Sequence, residues 1–130
     1  MTKTAISCTI ILSLTAIASQ AQTTKVLIDN DKIKVTEYTS QPGEDVCGKG
    51  QHTHGDHATI LLTDATVKTT TANGVIQMET WSADKHLYTV TESGKTQKIP
   101  ADGGFWVKGV THSVINTGKK AIRFYIIETK

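Results

Sequence analysis

Three of the chain's five histidines, His52, His54 and His57, stand together in the stretch Gly50-Gln51-His52-Thr53-His54-Gly55-Asp56-His57. Imidazoles suit borderline divalent metals, so a cluster this dense points first to a metal centre. In a β-strand, residues i and i+2 share a face, and His52 and His54 can then aim their rings at one point. A complete centre needs a further ligand from a distant segment. His112 is that candidate, because it follows the glycine-containing turn Gly109-Val110-Thr111 and enters a β-rich run. His57 is the candidate for a fourth ligand if Gly55-Asp56 makes a kink or bulge that slips the alternation by one. Without that slip, His57 is a polar residue at the mouth of the site.

The remaining reactive residue types carry plainer readings. Asp56 reads as a turn aspartate, with a contact to an imidazole N–H as the alternative. Cys47 is an odd thiol close to the histidines; its plain reading is a small, half-buried side chain. His86, between Lys85 and Leu87, reads as an exposed strand histidine. Trp81, Tyr88, Trp106 and Tyr125 read as core, with pocket lining as the alternative. No Ser-His-Asp order, phosphate-cradling glycine loop or C-x-x-C knuckle accompanies the cluster.

The elements that must position these residues are strands. From Lys25 onward Thr, Val and Ile dominate, and no stretch sustains a helical period. Val26-Leu27-Ile28 and the alternating run Lys32 to Tyr38 flank the turn cluster Asp29-Asn30-Asp31. Gln41-Pro42-Gly43-Glu44 opens a loop to about Gly50, and the histidine cluster then leads into the apolar run Ala58 to Leu62, fit for a central strand. Ala65 to Thr71 and Val75 to Thr80 flank Ala72-Asn73-Gly74, whose Asn-Gly is a strong hairpin signal. His86 to Thr91 and Lys95 to Ile99 flank Glu92-Ser93-Gly94 in the same way. Pro100 to Gly104 turns the chain before Phe105-Trp106-Val107. The strand around Ser113 to Ile115, the turn Asn116-Thr117-Gly118 and the run Ala121 to Glu128 complete it, with Ile122, Phe124 and Ile126 on one side. About eight to ten short strands with turn chemistry between them predict an all-β sandwich or barrel in one domain.

The N-terminus reads as a secretory signal peptide over 1–21. Lys3 precedes the apolar, small-residue run Ala5 to Ala18, and Ser19 and Ala21 supply small side chains for a cut before Gln22. No later apolar stretch approaches the ~18 residues of a membrane span. The expectation is a soluble domain over 22–130, exported to a periplasm or secreted. Cleavage removes Lys3 and no acid, which lowers the formal net charge from +2 to +1. So small a charge argues against nucleic acid or an anionic membrane as partner. Cleavage also removes Cys8 and leaves Cys47 as the one mature cysteine, so no intramolecular disulfide can staple the fold.

Gly50-Gln51-His52-Thr53-His54 resembles the first motif of the cupin superfamily, and Gly109-Val110-Thr111-His112-Ser113-Val114-Ile115-Asn116 resembles the end of the second, G-x-x-H-x-x-x-N. Pro100 to Trp106 is similar to the glycine turn and aromatic strand that lead into it. The resemblance covers roughly residues 40 to 129 and implies a single-domain jelly-roll β-barrel with a metal held by His52, His54 and His112. Val107 stands where the second motif has a proline. The glutamate that follows the first motif is missing, its positions being taken by Ala58 and Thr59. Either a three-histidine centre forms, as in some iron-dependent cupin dioxygenases, or His57 fills the vacancy.

A divalent transition metal (iron, manganese, nickel, copper or zinc) is thus the expected cofactor. Neutral histidines alone would leave its full double charge in place, favour anionic substrates or chelating enolates, and acidify bound water. The expected function is a metal-dependent dioxygenase, isomerase or lyase acting on a small oxygenated compound. The alternatives are a non-catalytic module that binds a metal or small ligand, and a structural jelly roll with vestigial histidines. The resemblance also makes a homodimer a fair expectation.

Overall fold

The structure is a computed structural model that describes residues 22–84, 87–100 and 104–130, without the side chains of Leu87 and Tyr88. The expected signal peptide over 1–21, His86 and the 101–103 part of the Pro100–Gly104 turn lie outside the described residues. Within them every regular element is a strand: β1 (Thr23–Asp29), β2 (Ile33–Ser40), β3 (His52–His54), β4 (His57–Leu61), β5 (Ala65–Thr71), β6 (Ile76–Ser82), β7 (Leu87–Glu92), β8 (Lys95–Pro100), β9 (Gly104–Val107), β10 (Val110–Asn116) and β11 (Ile122–Thr129). They form two antiparallel sheets, ordered β1-β2-β11-β4-β9 and β3-β10-β5-β6-β7-β8.

Alternation decides which side chains meet between the sheets. Ile122, Phe124 and Ile126 of β11 all point inward and are essentially buried. On β4 the inward set is His57, Thr59 and Leu61, and on β5 it is Ala65, Val67 and Thr69. Together with Val46, Trp81 and Val114 the apolar members make one core. Tyr38 stacks on Phe124 at 5.4 Å.

The turns follow their chemistry. Gly74 adopts φ +83° in the β5–β6 hairpin, and Ser93 and Gly94 take φ +49° and +73° in the two-residue β7–β8 turn. Positive φ at both central positions is the type I′ geometry that matches strand twist. Asn116 is fully buried at the end of β10. Its Nδ2 donates to the carbonyls of Ser40 (3.2 Å) and Lys120 (3.0 Å), and its Oδ1 accepts from Gly118 N–H at 3.0 Å. The residue that closes the second motif is therefore the clamp of the β10–β11 turn.

Two features depart from the expected strands. The histidine stretch is two strands, because Gly55-Asp56 carries the chain from one sheet to the other: β3 pairs with β10, and β4 pairs with β11 and β9. The segment before it is less of a loop than expected. Gly43 and Val46 donate to the carbonyls of Asn116 and Val114, both at 2.8 Å, and Asn116 donates to Glu44 at 2.9 Å. The chain thus runs along one half of the edge of β10, leaves it after Cys47 and returns on the other half as β3.

Candidate metal centre

That detour brings the ligands together. In the β3–β10 register His52 stands opposite His112, so two imidazoles meet across the ladder, and His54 follows on the same face as His52. Cys47, delivered from the segment hydrogen-bonded to the upper half of β10, completes the group. Cys47 Sγ lies 3.2 Å from His52 Nε2 and 3.7 Å from His112 Nε2. One ligand atom from each of Cys47, His52, His54 and His112 falls within 4.8 Å of all the others. Gly48 is required at its position: a Cβ there would stand 2.5 Å from the His52 ring.

Of the three ligand rings, His52 is oriented by a hydrogen bond. His52 Nδ1–H donates to the Gly50 carbonyl at 2.9 Å, which leaves Nε2 with its lone pair toward the thiol. His54 Nδ1 faces Glu128 Oε1 of β11 at 3.7 Å, an electrostatic contact that is too long for a hydrogen bond. His54 Nε2 is buried with no hydrogen-bond partner. A buried polar nitrogen without a protein partner costs about 1–3 kcal/mol, a cost that a bound ion would relieve. Burial first, then the neighbouring His52 and His57 rings, lowers the pKa of His54. The same causes, burial first and then the His52, His54 and His57 rings, bring His112 down to about 4. Both are neutral at pH 7, the form that ligates a metal. Burial raises the metal-free Cys47 thiol to about 12, with Glu79 and Asp45 adding to it.

The set fits a divalent ion. A thiolate and an imidazole sharing one tetrahedral ion stand about 3.5 Å apart, given bonds of about 2.3 and 2.05 Å. The two sulfur–nitrogen separations bracket that value.

The sequence-predicted residues separate into two groups. His52, His54 and His112 converge. His57 does turn inward after the Gly55-Asp56 crossover and is buried, its ring 5.0 Å from that of His54. It stands outside the four-donor group, with Nδ1–H donating to the Gly55 carbonyl at 2.7 Å. Asp56 touches no imidazole. Its Oδ1 accepts from Gly109 N–H at 2.7 Å and its Oδ2 from Lys108 Nζ at 3.2 Å, which ties the β3–β4 crossover to the β9–β10 turn. These bonds, the Gly109 one first, hold its carboxyl below the usual range.

Inside the barrel a cavity of about 170 Å³ adjoins the cluster, and Cys47, His57, Thr59, Gln77, Glu79 and His112 supply polar lining. Trp81, Phe105 and Phe124 supply its aromatic wall. Trp81 packs edge-on against Phe105 and Phe124 at 5.6 and 6.0 Å. Of the other aromatics weighed for a pocket, Trp106 is exposed and Tyr125 is absent from the lining. Sequence reasoning did not place Glu128 at the site, and Cys47 entered only as a nearby thiol. Its place five residues before His52 is the one signal that pointed to it.

No protein-family model and no curated protein matches the sequence. Solved structures do match the fold. A cupin domain from Bordetella pertussis Tohama I is similar at 26% identity and a TM-score of 0.54, over 85% of this chain and 94% of that one. A double-stranded β-helix protein from Klebsiella pneumoniae is similar at 14% identity and a TM-score of 0.51, over 85% of this chain and 73% of that one. An RmlC-like cupin family protein from Methanocaldococcus jannaschii is similar at 10% identity and a TM-score of 0.51, over 87% and 84%. With an all-β, two-sheet architecture and these neighbours, the chain has a single-domain cupin fold, the double-stranded β-helix.

Proposed function

We propose that the protein is an exported metal-dependent enzyme, a dioxygenase or an isomerase or lyase, that acts on a small oxygenated compound. The observation that carries this reading is the buried, unpartnered Nε2 of His54 within a His/Cys cluster that adjoins a cavity. A bound divalent ion would supply Lewis acidity toward a substrate oxygen. The chain's own part is to bind and orient. His52, His54, His112 and Cys47 hold the ion, the Gly50 carbonyl fixes the tautomer of His52, and the Glu128 carboxylate lies beside His54 Nδ1. Trp81, Phe105 and Phe124 keep bulk water from the inner wall.

A second reading is a non-catalytic metal-binding cupin. It is favoured by the four-donor group, since four protein ligands can close a tetrahedral shell. Metal analysis and turnover separate the two. The enzyme reading expects about one ion per chain after loading with Fe²⁺, Mn²⁺, Ni²⁺, Cu²⁺ or Zn²⁺. It also expects oxygen uptake or isomerised product with a panel of thiols, diketones and flavonols. Stoichiometric metal with no turnover supports the binding module, and a chain that takes up no metal overturns both.

A further inference from the structure

We infer that Glu79 makes the cavity select small uncharged, hydroxyl-bearing ligands over carboxylates of the same size. This rests on the metal centre proposed above and names the substrate class that the centre takes. Glu79 stands on β6 beside Trp81, with both side chains turned inward, and it is more than nine-tenths buried. Its Oε2 accepts the Trp81 indole N–H at 2.9 Å, which leaves Oε1 for a donor on a ligand. None of the described residues that line the cavity is Lys or Arg. A buried carboxylate facing a cavity with no cation in its wall is under-compensated, and a ligand hydroxyl is the partner it lacks.

The charge around the cavity leads to the same class. Neutral imidazoles alone would leave an ion doubly charged and favour anions. Cys47 bound as a thiolate removes one of those charges, and Glu79 places a second negative charge on the wall of the cavity that the ion adjoins. The ion and these two groups together are neutral. A carboxylate ligand would bring a third negative charge beside Glu79, with no guanidinium or ammonium to receive it. A hydroxyketone or diol can offer an oxygen to the ion and an O–H to Glu79. The cavity of about 170 Å³ suits a molecule of that size.

The test uses the Co²⁺-loaded protein and two probes of matched size, hydroxyacetone and lactate, followed through the visible Co²⁺ spectrum. Aqueous Co²⁺ provides the reference, because the free ion prefers the carboxylate. The protein is expected to shift the hydroxyacetone-to-lactate affinity ratio at least tenfold toward hydroxyacetone relative to the free ion. Glu79→Gln, which keeps an acceptor for the Trp81 indole, is expected to return most of that shift, and Glu79→Asp to keep it. An affinity ratio equal to that of free Co²⁺ overturns the inference, and so does a spectrum that neither probe perturbs. A ratio that Glu79→Gln leaves within twofold of the native protein also overturns it. The reference comparison needs only the native protein, so it decides the matter even where the variant does not fold. Failure to load Co²⁺ at all overturns the metal reading itself, which is a different result from a loaded protein that prefers lactate.

Discussion

At the scale of single residues, the centre rests on four donors from three separate segments, Cys47, His52 with His54, and His112, gathered within 4.8 Å of one another. An HxH pair and a distant histidine in a turn-to-strand context announce themselves by type and spacing. Cys47, Glu79 and Glu128 do not. A glutamate on an alternating strand looks the same whether it faces water or a cavity, and only the register of β6 and β11 decides it. Cys47 as a fourth donor has a spectroscopic consequence. The Co²⁺-loaded protein should show a near-ultraviolet sulfur-to-cobalt charge-transfer band, and Cys47→Ser should abolish it while three imidazoles retain a weaker-bound ion. An unchanged band would remove Cys47 from the centre. Glu128→Gln, which removes the charge 3.7 Å from His54 Nδ1, should weaken metal binding by about tenfold, the low end of the effect of losing an outer partner. Competition titration against a chromophoric chelator measures it.

At the scale of elements, the hairpins followed from turn chemistry and β11 from its alternation. Val26, Leu27 and Ile28 form the expected strand as β1, at the edge of its sheet, and all three are exposed, so it adds nothing to the core. One element was misjudged for a physical reason. The histidine stretch reads as one run into a strand, but Gly55-Asp56 moves it between sheets, a switch that no hydrophobic pattern marks. The detour between Cys47 and His52 depends on Gly48. Gly48→Ala should therefore displace the His52 ring and reduce metal affinity at least tenfold, with the fold retained; an affinity equal to the native one would show that the ring has room to yield. Asn116→Ala tests the opposite kind of position. It strips three hydrogen bonds, one buried and two half-buried, from the β10–β11 turn and should lower stability by about 2–4 kcal/mol in chemical denaturation.

At the scale of the whole molecule, barrel architecture was accessible from strand count and turn spacing, whereas the cavity and its charge depend on which faces meet across two sheets. Metal and protons should both be felt globally. An ion at a hundredfold excess over its Kd adds about 2.7 kcal/mol, which at about 4–8 °C per kcal/mol means that chelation lowers Tm by about 10–20 °C. The metal-free protein should also lose stability as pH falls. Its folded state holds His112 at about 4, below the ordinary histidine value of 6.5, so the unfolded chain takes up the proton first. The contribution is intact above pH 6.5 and is lost progressively down to about pH 4. Tm measured against pH in chelator checks the sign; stability that rises on acidification over that window would contradict it. The detour along β10 has one more consequence, which concerns the chain's topology. Cys47 and His112 lie 65 residues apart, and Cys47 forms no disulfide. A shared ion ties these positions into a closed loop, which in the chain-entropy account is worth about 4 kcal/mol for a loop of that length. It would serve as a staple that chelators open and thiol reductants do not. On treatment with EDTA, hydrogen exchange should therefore quicken first along the 43–54 edge of β10, while the β5–β6 hairpin stays protected.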